Sequence, residues 1–173
     1  MTAKRTERGA TVVEMTIVAV LLLVLVGAFG VPGYKSYAAS RASADAASVL
    51  ASDLAFLVRA AQNSPGDEGA TLVIESMAPL HYRGYVGRPK QLDPSAKLET
   101  LLFDRTFSGV TLGEGSIDTS TPLLFANNGS AQYESAGAVS AQHATVQFLL
   151  SAPAGKPATV ELDLFTGAVQ TGG

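Results

Sequence analysis

Only one ionisable side chain is set where a charge is costly. Glu14 stands immediately ahead of twenty residues, Met15 to Tyr34, that carry no charge at all. A carboxylate inside a bilayer costs several kcal/mol, about 3 on insertion scales, and Glu is too short to reach water as Lys or Arg would. Two readings of Glu14 stand side by side. It is an interfacial acid favoured by the positive end of a helix, or it is the partner of a positive amine on a neighbouring chain in low dielectric. The remaining candidates are thin. His81 and His143 are the only histidines, and no HExxH or comparable ligand spacing surrounds them. His143 is read as a surface residue opening a strand, and His81-Tyr82-Arg83 as a loop cluster. Asp67, Glu68 and Asp93 lack the spacing of a calcium loop. The Asn128-Gly129-Ser130 sequon coincides with a turn that accounts for it without sugar. Thiol catalysis, disulfides and Cys-ligated zinc are excluded, since there is no cysteine. No P-loop, dinucleotide fingerprint or Gly-x-Ser-x-Gly is present. The expected protein is therefore not an enzyme, and it has no cofactor, metal site or small-molecule substrate.

The elements that position Glu14 follow from the hydropathy pattern. At about 1.5 Å per residue, Met15–Tyr34 covers roughly 30 Å as a helix, the thickness of a hydrocarbon core. Lipid offers no hydrogen bonds to a backbone, so the run must be helical. Lys4, Arg5 and Arg8 precede it, opposed by Glu7, and the excess of cations keeps that end cytoplasmic. The residues from Tyr34 onward hold nine basic and thirteen acidic side chains, a mildly acidic exported portion. That balance, and the uncharged tail Gln170-Thr171-Gly172-Gly173, give no attraction for phosphates, so nucleic acid is not an expected partner. Arg83, Arg88 and Lys90 form the one basic cluster and read as a solvated loop. A secretory signal cleaved at Ser36-Tyr37-Ala38 fits less well, because the apolar run exceeds the roughly 7–15 residues of such signals.

The helix continues past the membrane. Tyr34 to Asn63 is rich in Ala and holds neither Pro nor Gly. Leu50, Leu54, Leu57, Val58 and Ala61 form one apolar stripe expected to pack on the protein's own sheet, with Ser48, Ser52, Asp53 and Arg59 off it. Pro32 and the glycines at 27, 30 and 33 should kink or loosen the rod. The cluster Asn63-Ser64-Pro65-Gly66-Asp67-Glu68-Gly69 should end it. Beyond it the pattern predicts short strands at 71–75, 101–103 and 110–112, and a hairpin 123–126/131–133 about Asn127-Asn128-Gly129. Two alternating strands follow at 144–150 and 159–165, joined by a loop at 152–157, and a last strand at 168–170 after the Thr166-Gly167 turn. Stretches 78–98 and 113–122 are read as loops.

The run Arg8-Gly9-Ala10-Thr11-Val12-Val13-Glu14, with the apolar helix and Pro32 behind it, resembles the class III signal of type IV prepilins and pseudopilins. That family has a short basic leader ending in Gly, a cut directly after it, and a Glu at the fifth mature position. The first mature residue is commonly Phe and is Ala here. The order of elements and the terminal Thr166-Gly167-Ala168-Val169 look most like the GspH/FimT-type minor pilins and pseudopilins, and the absence of Cys is unlike the major pilins with their C-terminal disulfide loop. The start is also similar to that of TadE-like pilus assembly proteins.

The resemblance implies an α+β pilin-like lollipop, a long transmembrane helix packed on an antiparallel β-sheet domain. It implies a leader at 1–9, a transmembrane and filament-core half of the helix at 10–33, an amphipathic half at 34–62 and a β-rich head at 63–173. It further implies cleavage by prepilin peptidase between Gly9 and Ala10, N-methylation of Ala10, and charge neutralisation by Glu14 during assembly. The implied partners are the peptidase, other pilin or pseudopilin subunits and an inner-membrane assembly platform. The implied location is a bacterial inner membrane, crossed once with a cytoplasmic N-terminus, and then a filament of a type IV pilus or a type II secretion pseudopilus. Two alternatives remain, a single-pass anchored binding domain with an uncut N-terminus and an exported protein released after Ala38.

Overall fold

A computed structural model describes residues 6–64, 69–89, 99–113, 122–135, 138–139 and 145–172. Helix α1, Thr6–Leu25, passes through a π-helical turn at Val26–Gly30 into α2, Val31–Gln62. The turn contains Gly27 and Gly30 and lies just ahead of Pro32, which has no N–H to donate to the preceding turn. The hydrogen-bond register slips there and the helix continues. The C-terminus of α2 is sealed at Asn63, whose backbone N–H and Nδ2 both donate to the Arg59 carbonyl, at 3.1 and 2.9 Å.

Among the described residues all strand pairs are antiparallel, in two sheets. The first has the order β3-β2-β1-β5-β6-β7 and the second β10-β9-β8-β4. The strands are β1 Ala70–Met77, β2 Leu80–Gly87, β3 Glu99–Phe107, β4 Thr111–Leu112, β5 Leu123–Phe125, β6 Ala131–Ser135, β7 Ala138–Val139, β8 Thr145–Ser151, β9 Ala158–Asp163 and β10 Val169–Gly172. The C-terminal half of α2 lies against both sheets. Its buried face, Ser43, Ala46, Ala47, Leu50, Asp53, Leu54, Leu57 and Ala61, turns toward a core that includes Leu72, Tyr82, Phe125, Phe148, Val160 and Leu162, aliphatic and aromatic side chains together. The architecture is α+β, with a long N-terminal apolar helix on antiparallel sheets.

Two expectations fail here. Stretch 78–98 is not a loop throughout, since Leu80–Gly87 forms an inner strand between β1 and β3. His81, Tyr82 and Arg83 therefore sit on a strand. The pattern hides it because the strand carries polar residues on its outer face and two glycines. Both glycines are required. A Cβ on Gly84 would fall within the Phe103 ring, and Gly87 has φ +78°. Nor does Asp53 lie off the apolar stripe, for it is 7% exposed on the buried face of α2. The hairpin at Asn127-Asn128-Gly129 forms as expected. Gly129 has φ +87°, and Asn128 Oδ1 accepts from both the N–H and the Oγ of Ser130 at 3.0 and 2.7 Å. The turn at Thr166-Gly167 is held by Asp163 Oδ1, which accepts the Phe165 and Thr166 amides at 2.8 and 2.9 Å.

Candidate functional site: the exposed apolar rod

Every residue from Val12 to Ala38 is exposed. Over about 40 Å the helix is left uncovered by its own head. Met15 is 78% exposed, Leu23 72% and Phe29 73%, and the unbroken exposed run at about 100° per residue takes in every side of the helix. A helix that is apolar all round needs an apolar environment all round, either lipid or other helices. Fully burying each Val, Leu, Ile or Met is worth about 1.5–3 kcal/mol, so the rod carries a large unmet driving force. This one helix, Val12–Gln62 among the described residues, is long and apolar enough to cross a membrane.

Gly9 and Ala10 lie in the first turns of α1, and Glu14 follows one turn after Ala10. The Glu14 side chain is exposed and makes no ion pair among the described residues. Thr16, half a turn on, satisfies its hydroxyl within the helix by donating to the Val12 carbonyl at 2.8 Å. Glu14 is thus the one acid on the described part of the rod, with no partner provided by the head.

Among the described residues, the ion pairs of the head fall in two clusters. On the inner face, Asp53 Oδ2 accepts from the Tyr82 hydroxyl at 3.0 Å and from Arg105 Nε at 3.2 Å. Tyr82 is fully buried, its ring stacked on Phe107 and edge-on to Phe103, while the Arg105 guanidinium lies 5.9 Å over the Phe103 ring. Burial, then the adjacent Asp53 charge, pushes the Tyr82 hydroxyl well above the ordinary tyrosine range. This triad joins α2 to β2 and β3, and sequence reasoning missed it. Asp53 falls four residues before Leu57 and three after Leu50, and that spacing was the available clue.

Removing the Asp53 carboxylate leaves the buried Tyr82 hydroxyl without its acceptor and Arg105 without its counter-charge. Asp53→Ala should lower head stability by about 2–4 kcal/mol, read by urea denaturation. An unchanged midpoint would contradict the packing described here. Tyr82→Phe tests the same site by pH. The folded-state pKa of Tyr82 is raised, so its contribution is fully present below the unfolded value of 10.0 and is lost as pH rises above it. Wild type should lose stability above about pH 10 faster than Tyr82→Phe does.

On the outer face, Asp104 binds His81 Nε2 at 2.7 Å and Arg83 Nε at 2.8 Å, while Arg83 Nη1 reaches Glu75 Oε1 at 3.3 Å. The His81 hydrogen bond first, then Arg83, holds the Asp104 carboxyl below its usual range. Arg83 is therefore engaged by two acids and does not contribute a free cation to a basic cluster with Arg88. Lys90, Asp67, Glu68, Asp93 and His143 lie outside the described residues. Among the described residues, no three His, Asp or Glu side chains are grouped to hold a metal ion. The site that stands out is the rod.

No protein-family model, no curated protein and no solved structure matches the chain.

Proposed function

We propose that this chain is a structural subunit of the minor pilin or pseudopilin kind, anchored in a membrane and assembled through its rod into a filament. A prepilin peptidase removes Met1–Gly9, and the new amine of Ala10, which the same enzyme methylates, becomes the positive end of the helix. The apolar rod first sits in lipid as a single-pass anchor with the head on the far side. It then moves into a bundle of equivalent helices that replaces the lipid on all its faces. Glu14 neutralises the Ala10 amine of an adjacent subunit, which converts a costly buried acid into a mark of register.

One observation carries the reading. The helix is divided sharply, with one face of its C-terminal half buried in the head and every face of Val12–Ala38 left open. A membrane anchor alone needs an apolar rod. It does not need an acid at Glu14, which disfavours lipid and gains only if a cation arrives. The basic leader ending at Gly9 is consistent with that cation being made by proteolysis.

Photo-crosslinking in native membranes separates a subunit from an anchored binding domain. A photoreactive residue at Leu22, in the rod, should give adducts with other helical subunits of the assembly. One at Phe165, 65% exposed on the head, serves as the comparison. Protein adducts at Phe165 with only lipid adducts at Leu22 would favour the anchored binding domain and overturn the filament reading.

A further inference from the structure

We propose that the end of the head nearest the rod is a docking face for anionic lipid headgroups, which seats the head on the bilayer. The proposal rests on the membrane-anchor part of the reading above and is independent of filament assembly. Tyr34 and Tyr37 are 72% and 63% exposed at the point where the charge-free run ends. Amphipathic aromatic side chains at that depth belong at headgroup level. Lys35 and Arg41 are exposed on the same stretch of helix. At about 100° per residue they point to different sides, well away from the side of Ser40.

The side of Ser40 is filled by the head. The β8–β9 loop is pinned to the helix there, with the Lys156 amide donating to Ser40 Oγ at 2.9 Å. Gly155 lies so close that a Cβ on it would sit 2.6 Å from the Ala39 carbonyl carbon and 2.7 Å from the Ser40 nitrogen. This contact fixes the exposed Lys156 beside the root of the rod. Lys35, Arg41 and Lys156 thus ring the helix where it leaves the apolar layer. Asp45 opposes them, 3.8 Å from Arg41, with both side chains about 70% exposed, a geometry that solvent screens. The ring is cationic although the chain from Tyr34 onward carries more acids than bases.

Distances fit a lipid partner. Ser40 lies six residues beyond Tyr34, about 9 Å, and the headgroup layer is about 5–8 Å thick on each side. Lys and Arg side chains span the remainder, within a Debye length of about 8 Å. Continuity with the apolar span, the paired tyrosines and the charge together favour lipid over an acidic protein surface.

The test uses the full chain reconstituted in vesicles. The sequence has no cysteine, so Pro153→Cys, at an exposed position of the same loop, gives one site for a fluorophore. Quenching by headgroup-labelled lipid is compared between phosphatidylcholine vesicles and vesicles with about one-third phosphatidylglycerol. Docking should be stronger on the anionic vesicles and should fall roughly fivefold for each cation removed in Lys35→Gln, Arg41→Gln and Lys156→Gln. The difference should vanish in about 0.5 M salt. Arg59→Gln, about 28 Å further along the helix, should change nothing. Equal quenching on both vesicles, with the protein floating with the lipid, would overturn the docking face while leaving the anchor intact and would assign the cations to an acidic protein surface. Failure to float with either vesicle would overturn both.

Discussion

Glu14→Ala should insert into the membrane at least as well as the wild type and yet fail to enter a filament. The two halves of that result have the same cause. Taking a carboxylate out of the apolar layer removes a cost of about 3 kcal/mol, so insertion is not impaired. In a packed bundle the same change leaves the neighbouring amine buried without its counter-charge, which costs about 3–5 kcal/mol. Incorporation should therefore fall by at least about a hundredfold, measured as the ratio of filament-associated to membrane-extracted protein. Glu14→Gln should fail in the same way, since it keeps the shape and loses the charge. Glu14→Asp should retain part of the function. Normal incorporation of Glu14→Ala would return Glu14 to the plainer role of an interfacial acid near a helix start.

Gly9→Leu should block maturation outright. A peptidase that cuts after residue 9 must bring that backbone against its catalytic groups, and a glycine permits an approach that a branched side chain obstructs. The uncut chain would keep Lys4, Arg5 and Arg8 on the cytoplasmic side. Its free amine would then lie nine residues from where Glu14 needs it. Gly9→Leu should accumulate in the membrane at full length and be missing from filaments, while Gly9→Ala, with the smallest added group, should be cut in part. A Gly9→Leu protein still shortened by nine residues would refute cleavage at this bond. Together the two variants separate the making of the amine from its use, because Glu14→Ala should be processed normally.

The rod was plain in the sequence because twenty residues without a charge leave few physical options, and the head's C-terminal hairpins were plain because their alternation and Gly-containing turns agree. Strand β2 was not. Its outer face spends His81 and Arg83 on ion pairs with Asp104 and Glu75, partners distant in sequence. Its inner face includes a glycine shaped to a ring on the next strand. Asp53 was misplaced for a related reason. A carboxylate reads as solvent-facing until its tertiary partners are known, and both Tyr82 and Arg105 lie beyond the helix. Glu14 presents the reverse case. Its apolar setting was evident from local sequence, whereas the amine proposed to neutralise it would be carried by an adjacent subunit.

The most direct measurement is the intact mass of the native protein extracted from its membrane. The account predicts a polypeptide that begins at Ala10, with its amine methylated. A chain beginning at Met1, or at Ala39, would contradict it.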